Sequence, residues 1–355
     1  MKNIIVLSIF ICMIIISLNA QDKSYSKNPQ TALDFLTLPM DSRSAGIGDV
    51  GIATPTDAYA HQHNPSKYLF GQAKSGLTLS YSPWLRNLVK DMNILALSGY
   101  YVIDSLQSAS ASLRYFSMGD MDFYDDLLQY TGNRSPYQLA FDVAYARKLS
   151  QYFGGSIGFR YALADLYPST SGYKKGWGFA TDLSFYFQKD IMLGKIPAKL
   201  TAGTSLNNLG TKVSFQKNGS SYFMPMFFRL GAGLTAGLNE DNSLMLVGEL
   251  LRSLVPTKAD KLDDSSISGM FSSISEGGFR SIVWALGAEY SYRNMLFARF
   301  GYHHESEECG NRKYLTFGTG IVYKIVHFDF SYLAPTGSRH NSMGNTLRLS
   351  TAIDF

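Results

Sequence analysis

The run Ser108-Ala109-Ser110-Ala111-Ser112-Leu113-Arg114-Tyr115-Phe116 alternates without a break. Ala109, Ala111, Leu113 and Tyr115 fall on one side, and Ser108, Ser110, Ser112 and Arg114 on the other. A period of two belongs to a β-strand, whose successive side chains point to opposite faces. The same alternation returns on both sides of this run. Leu139, Phe141, Val143 and Tyr145 oppose Ala140, Asp142 and Ala144. Ile157, Phe159, Tyr161 and Leu163 oppose Gly158, Arg160 and Ala162. Phe179, Leu183, Phe185 and Phe187 oppose Asp182 and Ser184, and Phe228, Leu230, Leu234 and Leu238 oppose Arg229, Gly231, Gly233 and Gly237.

Segments of about ten residues with this pattern are the mark of a transmembrane β-barrel. About fourteen occur here, an even number as closed bacterial barrels require. They begin near Ser75, Met92, Ser108, Pro136, Tyr152, Gly176, Ala198, Pro225, Ser243, Ser281, Asn294, Lys313, Val326 and Gly344. The connections have a parity. The odd ones are long: 83–91, 119–135, 165–175, 208–224, 256–280, 304–312 and 334–343. Most even ones are tight, such as Ser150–Gln151 and Tyr292–Arg293, with Lys189–Pro197 as the exception. Long loops at one end and short turns at the other is the outer-membrane arrangement, and a soluble sandwich gives no reason for it. The last strand alternates to a C-terminal Phe355, which resembles the assembly signal of such barrels. The expected fold is therefore all-β: an antiparallel barrel of about fourteen strands with an N-terminal plug.

Composition agrees. The 355 residues include 23 Tyr, 23 Phe and 32 Gly, and only 17% are charged. The net charge of +4 is not clustered, which argues against a nucleic-acid partner. Two cysteines, Cys12 and Cys309, cannot build a disulfide framework. Residues 1–20, with Lys2 ahead of the apolar run Ile4–Leu18 and Ala20 at its end, read as a signal peptide. Past it no apolar stretch approaches the ~20 residues of a spanning helix. The expected division is 1–20 signal peptide, 21–74 extension and plug, and 75–355 barrel, in the outer membrane with both chain ends periplasmic.

One face of the strands carries Arg114, Arg160, Arg229, Arg299 and Arg348 against Asp142, Asp182, Glu249, Glu289 and Asp329. Charge against lipid is costly, so this face is the lumen. Balanced signs let the lumen cross-link itself and fill; the alternative is that the charges line water. Residues 21–74 do not alternate and are too few for a separate domain. Their economical place is inside or across the periplasmic mouth. Gly46-Ile47-Gly48-Asp49-Val50-Gly51 matches a dinucleotide fingerprint in form only: no strand precedes it and no βαβ unit follows. The glycines are read as packing the backbone against the wall, and no cofactor is expected.

This segment carries a resemblance. Ala32-Leu33-Asp34-Phe35-Leu36, then Asp41-Ser42-Arg43-Ser44-Ala45-Gly46-Ile47-Gly48-Asp49-Val50-Gly51, then His63-Asn64-Pro65-Ser66-Lys67-Tyr68 resemble the PorV (LptO) family of the Bacteroidetes type IX secretion system. Leu79-Ser80-Tyr81-Ser82-Pro83-Trp84-Leu85, Ser98-Gly99-Tyr100-Tyr101 and Leu113-Arg114-Tyr115-Phe116-Ser117 agree. Arg43, Gly46, Gly48, Gly51, Asn64 and Pro65 carry the elements shared with the wider FadL-like superfamily. The resemblance implies a fourteen-stranded FadL-like barrel that binds the C-terminal signal domain of cargo. It also implies association with a large translocon barrel (Sov or SprA) and with the sortase PorU, amid outer-membrane lipid and lipopolysaccharide. It implies an adaptor and not a peptidase. The alternatives are a FadL-like uptake channel for hydrophobic small molecules and a lipid A deacylase.

No catalytic residue is assigned. The chain has no Gly-x-Ser-x-Gly elbow, and the six histidines carry no motif. His303-His304-Glu305-Ser306-Glu307-Glu308-Cys309 holds metal-capable side chains, but adjacent ligands in one loop do not form a fixed cage, so no metal is assigned. The functional candidates are the long loops. Trp84 and Leu85, then Phe123, Tyr124 and Leu127, then Tyr222, Phe223 and Met224 are expected as exposed apolar tips. They are either partner contacts or aromatics at headgroup level.

Overall fold

The computed structural model describes residues 30–84, 91–124, 127–168, 172–217, 219–276, 281–336 and 346–355. Fourteen antiparallel strands close into one barrel. They are β1 (Ser75–Pro83), β2 (Met92–Asp104), β3 (Gln107–Met118), β4 (Tyr137–Ser150), β5 (Phe153–Asp165), β6 (Gly176–Leu193) and β7 (Ile196–Gly210). There follow β8 (Phe227–Gly237), β9 (Asn242–Ser253), β10 (Ile282–Tyr292), β11 (Leu296–His304), β12 (Lys313–Tyr323), β13 (Val326–Pro335) and β14 (Thr346–Asp354). Each pairs with its sequence neighbours, and β1 closes on β14 from Gly76–Asp354 to Tyr81–Leu349. Closure leaves no edge, which a sheet in hydrocarbon requires.

The alternation is the inside-outside pattern. Along β3 burial switches residue by residue, with Ser108, Ser110, Ser112 and Arg114 buried. The outward set is exposed and apolar around the wall, from Leu77 and Leu79 through Phe141, Phe179, Leu246 and Phe300 to Leu349. Against lipid such a surface needs no other partner.

Strand starts lie within two residues of those expected, and the parity of the connections is complete. The expected exception at Lys189–Pro197 is corrected: β6 and β7 run on to Leu193 and Ile196, joined through Gly194 and Lys195. Gly194 takes φ 63°, a left-handed position open to glycine at no steric cost. The polar character of Lys189 and Asp190 hid a strand that continues past the apolar band.

The long connections carry what structure lies outside the barrel. Met121–Tyr124 pairs with Tyr130–Arg134 as a ribbon, and Val213–Ser214 pairs with Ser221–Tyr222. The 254–281 connection holds a helix, α2 (Ser266–Ile274), capped by the Ser265 hydroxyl on the Ser268 amide at 3.3 Å. The first helix, α1 (Ser42–Gly46), lies inside the barrel.

Residues 31–74 run the length of the lumen. The Ala32 amide donates to the Phe223 carbonyl at 2.8 Å, at the long-loop end. The Lys74 amide donates to the Phe355 carbonyl at 2.7 Å, at the short-turn end. Of the two expected placements, inside the barrel or across one mouth, the segment takes the first. Phe355 stands at the short-turn mouth, but Thr31 and Ala32 stand at the opposite one. The signal peptide and its cleavage point lie outside the described residues.

Candidate functional site

The lumen segment is built from short capped pieces. Asp41 caps α1, its carboxylate accepting from the Ser44 amide and hydroxyl, both at 2.7 Å. Asn64 caps the 3-10 turn Pro65–Phe70, and Pro65 sits at its first position, where an amide hydrogen is not needed. Side chains fill the gaps on either side. Phe35, Leu36 and Met40 pack with Trp84, Ile94 and Phe116. Ile47, Val50 and Ile52 pack with Met245, Val247 and Ala285. Tyr68 stacks on Tyr100 with centroids 4.1 Å apart.

The wall is shaped to receive this backbone. A Cβ at Gly301 would stand 2.1 Å from the Gly48 nitrogen, and one at Gly203 would stand 2.1 Å from the Ile52 carbonyl oxygen. Both neighbours are backbone and cannot rotate away. Gly46 and Gly48 therefore serve as the glycine reading expected: they lie against the wall, with Gly46 facing the Cα of Gly318 at 3.0 Å from its own Cβ position. Gly51 makes room for the His63 ring.

Charge locks the same contact. Arg43 forks onto Glu289, with Nε to Oε2 at 3.1 Å and Nη2 to Oε1 at 2.9 Å, and its Nη1 reaches Asp57 at 2.6 Å. Glu289 also accepts from Arg299 at 2.6 Å, and Arg299 continues to Asp329. Lys67, fully buried, donates to Asp57 at 2.9 Å and to the Thr54 hydroxyl at 2.7 Å. A second group joins Asp41, His63, Arg229 and Glu249: His63 Nε2 lies 2.8 Å from Asp41, and Arg229 Nη1 lies 3.3 Å from His63 Nδ1. With Arg229 donating to Nδ1, the ring hydrogen sits on Nε2 and points at Asp41. Glu249 pairs with Arg229 and accepts the Gly51 and Ile52 amides at 3.0 and 3.2 Å. A third group sets Asp142 between Arg114 and Arg160, with Arg160 reaching Asp182 at 2.8 Å. In a fourth, Arg348 binds Asp49 at 3.0 Å, and Tyr314 donates to the same carboxylate.

All ten charges assigned to the lumen from sequence, Arg114, Asp142, Arg160, Asp182, Arg229, Glu249, Glu289, Arg299, Asp329 and Arg348, are thus engaged in ion pairs. Five partners that sequence did not offer come from the plug: Asp41, Asp49, Asp57, His63 and Lys67. Burial pushes the Asp41 carboxyl up, but the hydrogen bonds from His63 and from the Ser44 hydroxyl and amide outweigh it and hold the group well below the usual carboxylate range. His61 lacks such a partner: its Nδ1 meets the Ser110 hydroxyl at 2.7 Å, and burial pushes its pKa down to about 4. This His–Ser pair is enclosed between plug and wall, away from lipid and rim.

Above the plug is a cavity of about 750 Å³, lined by Phe35, Met40, Trp84, Phe116, Met226 and Arg312 among others. Three sequence-expected loop tips belong to the interior instead. Trp84 is 6% exposed, packs on Phe116 and Ile94, and lies 6.0 Å below the Arg348 guanidinium. Phe223 and Met224 are each 1% exposed. Phe223 lies beneath α2 and under Lys212, 4.5 Å from its ring, where it holds the Ala32 amide. Those loops fold inward over a cavity, which alternation cannot reveal. The Met121–Arg134 ribbon does project. Tyr124, Leu127, Leu128 and Tyr130 are 58 to 84% exposed, with Phe123 half-buried and Tyr222 exposed on its own ribbon. Leu85 lies outside the described residues. In the His303–Cys309 stretch, Glu305 pairs with Arg312 and His304 stacks on Trp284.

Beside the short turns the ladder shifts register at Val102–Asp104 and Lys148–Ser150, and it has a further irregular joint within β6. The ladder passes from Thr181–Leu209 to Leu183–Leu206, skipping Asp182 on one strand and Asn207 and Asn208 on the other. Asn208 takes φ 59°, and its amide donates to Asp182 at 2.7 Å. Arg160 binds both residues, so the joint is closed by ions and not left apolar.

A closed, fourteen-stranded barrel with an apolar belt and an internally pinned plug has the build of an outer-membrane protein. Residues 20–260 match the family model for the type IX secretion system protein PorV, and the chain belongs to that family. No curated protein matches by sequence. Among solved structures, the toluene transporter TodX of Pseudomonas putida superposes with a TM-score of 0.50 at 12% identity, over 88% of this chain and 95% of that one. A FadL homologue of Pseudomonas aeruginosa gives 0.46 at 10% identity, over 89% and 98%. At these identities the likeness is one of fold.

Proposed function

We propose that this barrel is a non-enzymatic adaptor of type IX secretion. Its projecting ribbon, Tyr124, Leu127, Leu128 and Tyr130, with Tyr222 beside it, binds the C-terminal signal domain of cargo. Its outer wall docks against a large translocon barrel of the Sov or SprA kind, and a PorU-like sortase receives the cargo. Long loops face outward and the short turns face the periplasm.

The observation that supports this most is the contrast between lumen and rim. The lumen is occupied by backbone seated on wall glycines and cross-linked by ten wall charges. A filled, ionic interior is a poor route for apolar cargo. The ribbon offers large, mostly exposed apolar side chains, as a protein contact does. Pull-down of a loop-tagged barrel from detergent-solubilised native membranes, read by mass spectrometry, tests it. The expected recovery is a secreted protein's C-terminal domain, a very large barrel and a sortase. Recovery of the barrel with fatty acid and no protein refutes the adaptor.

A second reading, a FadL-like uptake channel, is favoured by the 750 Å³ cavity under the loops. It requires a greasy lateral exit, and the irregular joint at Asp182 is where such an exit would fall. Arg160, Asp182 and Asn208 close that joint with polar contacts, which weighs against it. A lipid A deacylase needs an imidazole and a hydroxyl together at the rim or lipid face; the His61–Ser110 contact is buried in the lumen.

A further inference from the structure

The lipid-facing wall is concave along one side. Across β1 to β6, the outward residues at one level are Leu77, Gly99, Ala111, Val143, Phe159 and Thr181, each paired with the next. The small residues of β2 and β3, with Ala109 beside them, lower the surface between taller neighbours. The resulting trough has a volume of about 890 Å³ and runs from Phe355 and Tyr101, at the short-turn end, to Phe141 and Phe159. A second hollow of about 600 Å³ shares Phe141, Val143 and Phe159 and continues to Leu209, Ser265, Ser266 and Ile267 at the long-loop end. The two meet at these residues to make one groove on the outer wall, whose upper part also touches Arg160 and Ala180 beside the joint at Asp182.

Helix α2 makes the upper lip. Its C-terminal end lines the cavity under the loops through Ser273, and its N-terminal end reaches the outer hollow through Ser266 and Ile267. Met270 and Ile274, with Leu206, Leu209 and Phe228 of the wall, pack around buried Phe223, Met226, Leu254 and Val255. The Lys212 ammonium holds the turn before it through the Leu262 and Asp264 carbonyls at 2.5 and 3.3 Å. Ile267, 61% exposed, is thereby fixed over the mouth of the groove.

We propose that this groove is a binding site for one acyl-chain lipid of the outer membrane, its chain lying along Ala109, Ala111 and Val143 and its upper end held beneath Ile267. The groove lies along the belt of exposed apolar residues that faces hydrocarbon, so membrane lipid is what meets it. A void against close-packed groups forfeits dispersion contacts, and a flexible chain fills a long, narrow hollow where the ridged wall of another barrel bridges over it. The strands beneath are fully paired on both edges, so the face offers no backbone for strand addition. The proposal does not depend on the adaptor reading.

The test uses the full-length protein extracted in mild detergent and read by native mass spectrometry for retained lipid. Wild type is expected to carry one lipid. The double substitution Ala109→Leu with Ala111→Leu fills the floor and is expected to lower retention at least fivefold. Ala288→Leu, a single change of the same kind on the outward face of β10 across the barrel, is expected to leave retention unchanged. Ile267→Ser lies in a helix outside the barrel ladder and is expected to lower retention about threefold, which keeps the test alive if the double variant fails to fold by heat-shifted mobility. Undiminished retention in a folded double variant, with Ile267→Ser also unchanged, overturns the site. So does a wild-type barrel that carries no lipid, or a second protein photo-cross-linked from Val143 in place of lipid.

Discussion

Replacing Gly301 by valine tests the plug seat at its tightest point. A Cβ there would lie 2.1 Å from the Gly48 nitrogen and 2.2 Å from the Ile47 carbonyl carbon. Both are backbone, and Gly48 is itself wedged against Tyr302 and Leu286 with φ 86°. Overpacking costs about 1–3 kcal/mol when neighbours can shift, and more when they cannot. Lifting Ile47–Gly51 off the wall also strips Glu249 of the Gly51 and Ile52 amides and separates Asp49 from Arg348. Each buried charge left alone adds several kcal/mol. The combined penalty, about 5 kcal/mol or more on these figures, is comparable to the stability of a whole domain. The plug of a folded Gly301→Val barrel should therefore leave its seat. Trypsin, to which Arg43 and Lys67 are buried in the wild type, should then cut at both, and planar bilayers should register ion conductance. Gly248→Ala is the control, since its outward Cβ meets only a mobile Leu286 methyl at 3.1 Å. A Gly301→Val barrel that keeps a trypsin-resistant plug and stays silent in bilayers would refute the wall-seat reasoning.

Other substitutions probe the networks and the rim. Glu289→Gln leaves Arg43 and Arg299 facing an amide and should lower barrel stability by about 3 kcal/mol, read as an earlier heat-modifiable gel shift. His61 has its pKa lowered from 6.5 to about 4 by burial, so between those values the unfolded chain binds the extra proton; stability is intact above pH 6.5 and falls as pH drops through the window. His61→Gln should flatten the melting-temperature profile between pH 7 and 4, and an unchanged profile would place the titration elsewhere. Trp84→Ala should loosen the plug, raising trypsin cutting at Arg43, without weakening cargo binding, because Trp84 is buried with the plug. Leu127→Ser with Leu128→Ser should weaken cargo capture at least tenfold with no change in melting, since both side chains are more than three-quarters exposed.

The barrel was legible because membrane physics writes it with period two. Every strand that faces lipid on one side and charge or plug on the other must alternate, so starts such as Ser75, Met92, Gly176 and Lys313 could be read directly. The β6–β7 turn was misplaced because Lys189 and Asp190 lie where the strand leaves the apolar band and polarity no longer marks a turn. The lumen charges were legible as a class, since an Arg between serines has nowhere else to go. Their partners were not: Arg43 meets Glu289 across 246 residues, and nothing local in Asp57 or Lys67 announces burial. The Asp41 cap has a local signal that the alternation argument does not use, an acceptor ahead of a short helical turn in Asp-Ser-Arg-Ser. The loop assignments failed at Trp84, Phe223 and Met224 for one reason. Apolar residues between strands look the same whether they project outward or fold over a cavity, and only three-dimensional closure separates the cases. In the Met121–Arg134 ribbon they project, because its ladder carries them away from the rim.

Binding of a purified cargo C-terminal signal domain to the barrel in lipid nanodiscs would test the adaptor claim most directly. The account predicts saturable one-to-one binding that is lost in the Leu127→Ser, Leu128→Ser variant and retained in Trp84→Ala. Absence of binding to the wild-type barrel, or binding that survives the ribbon substitutions undiminished, would contradict it.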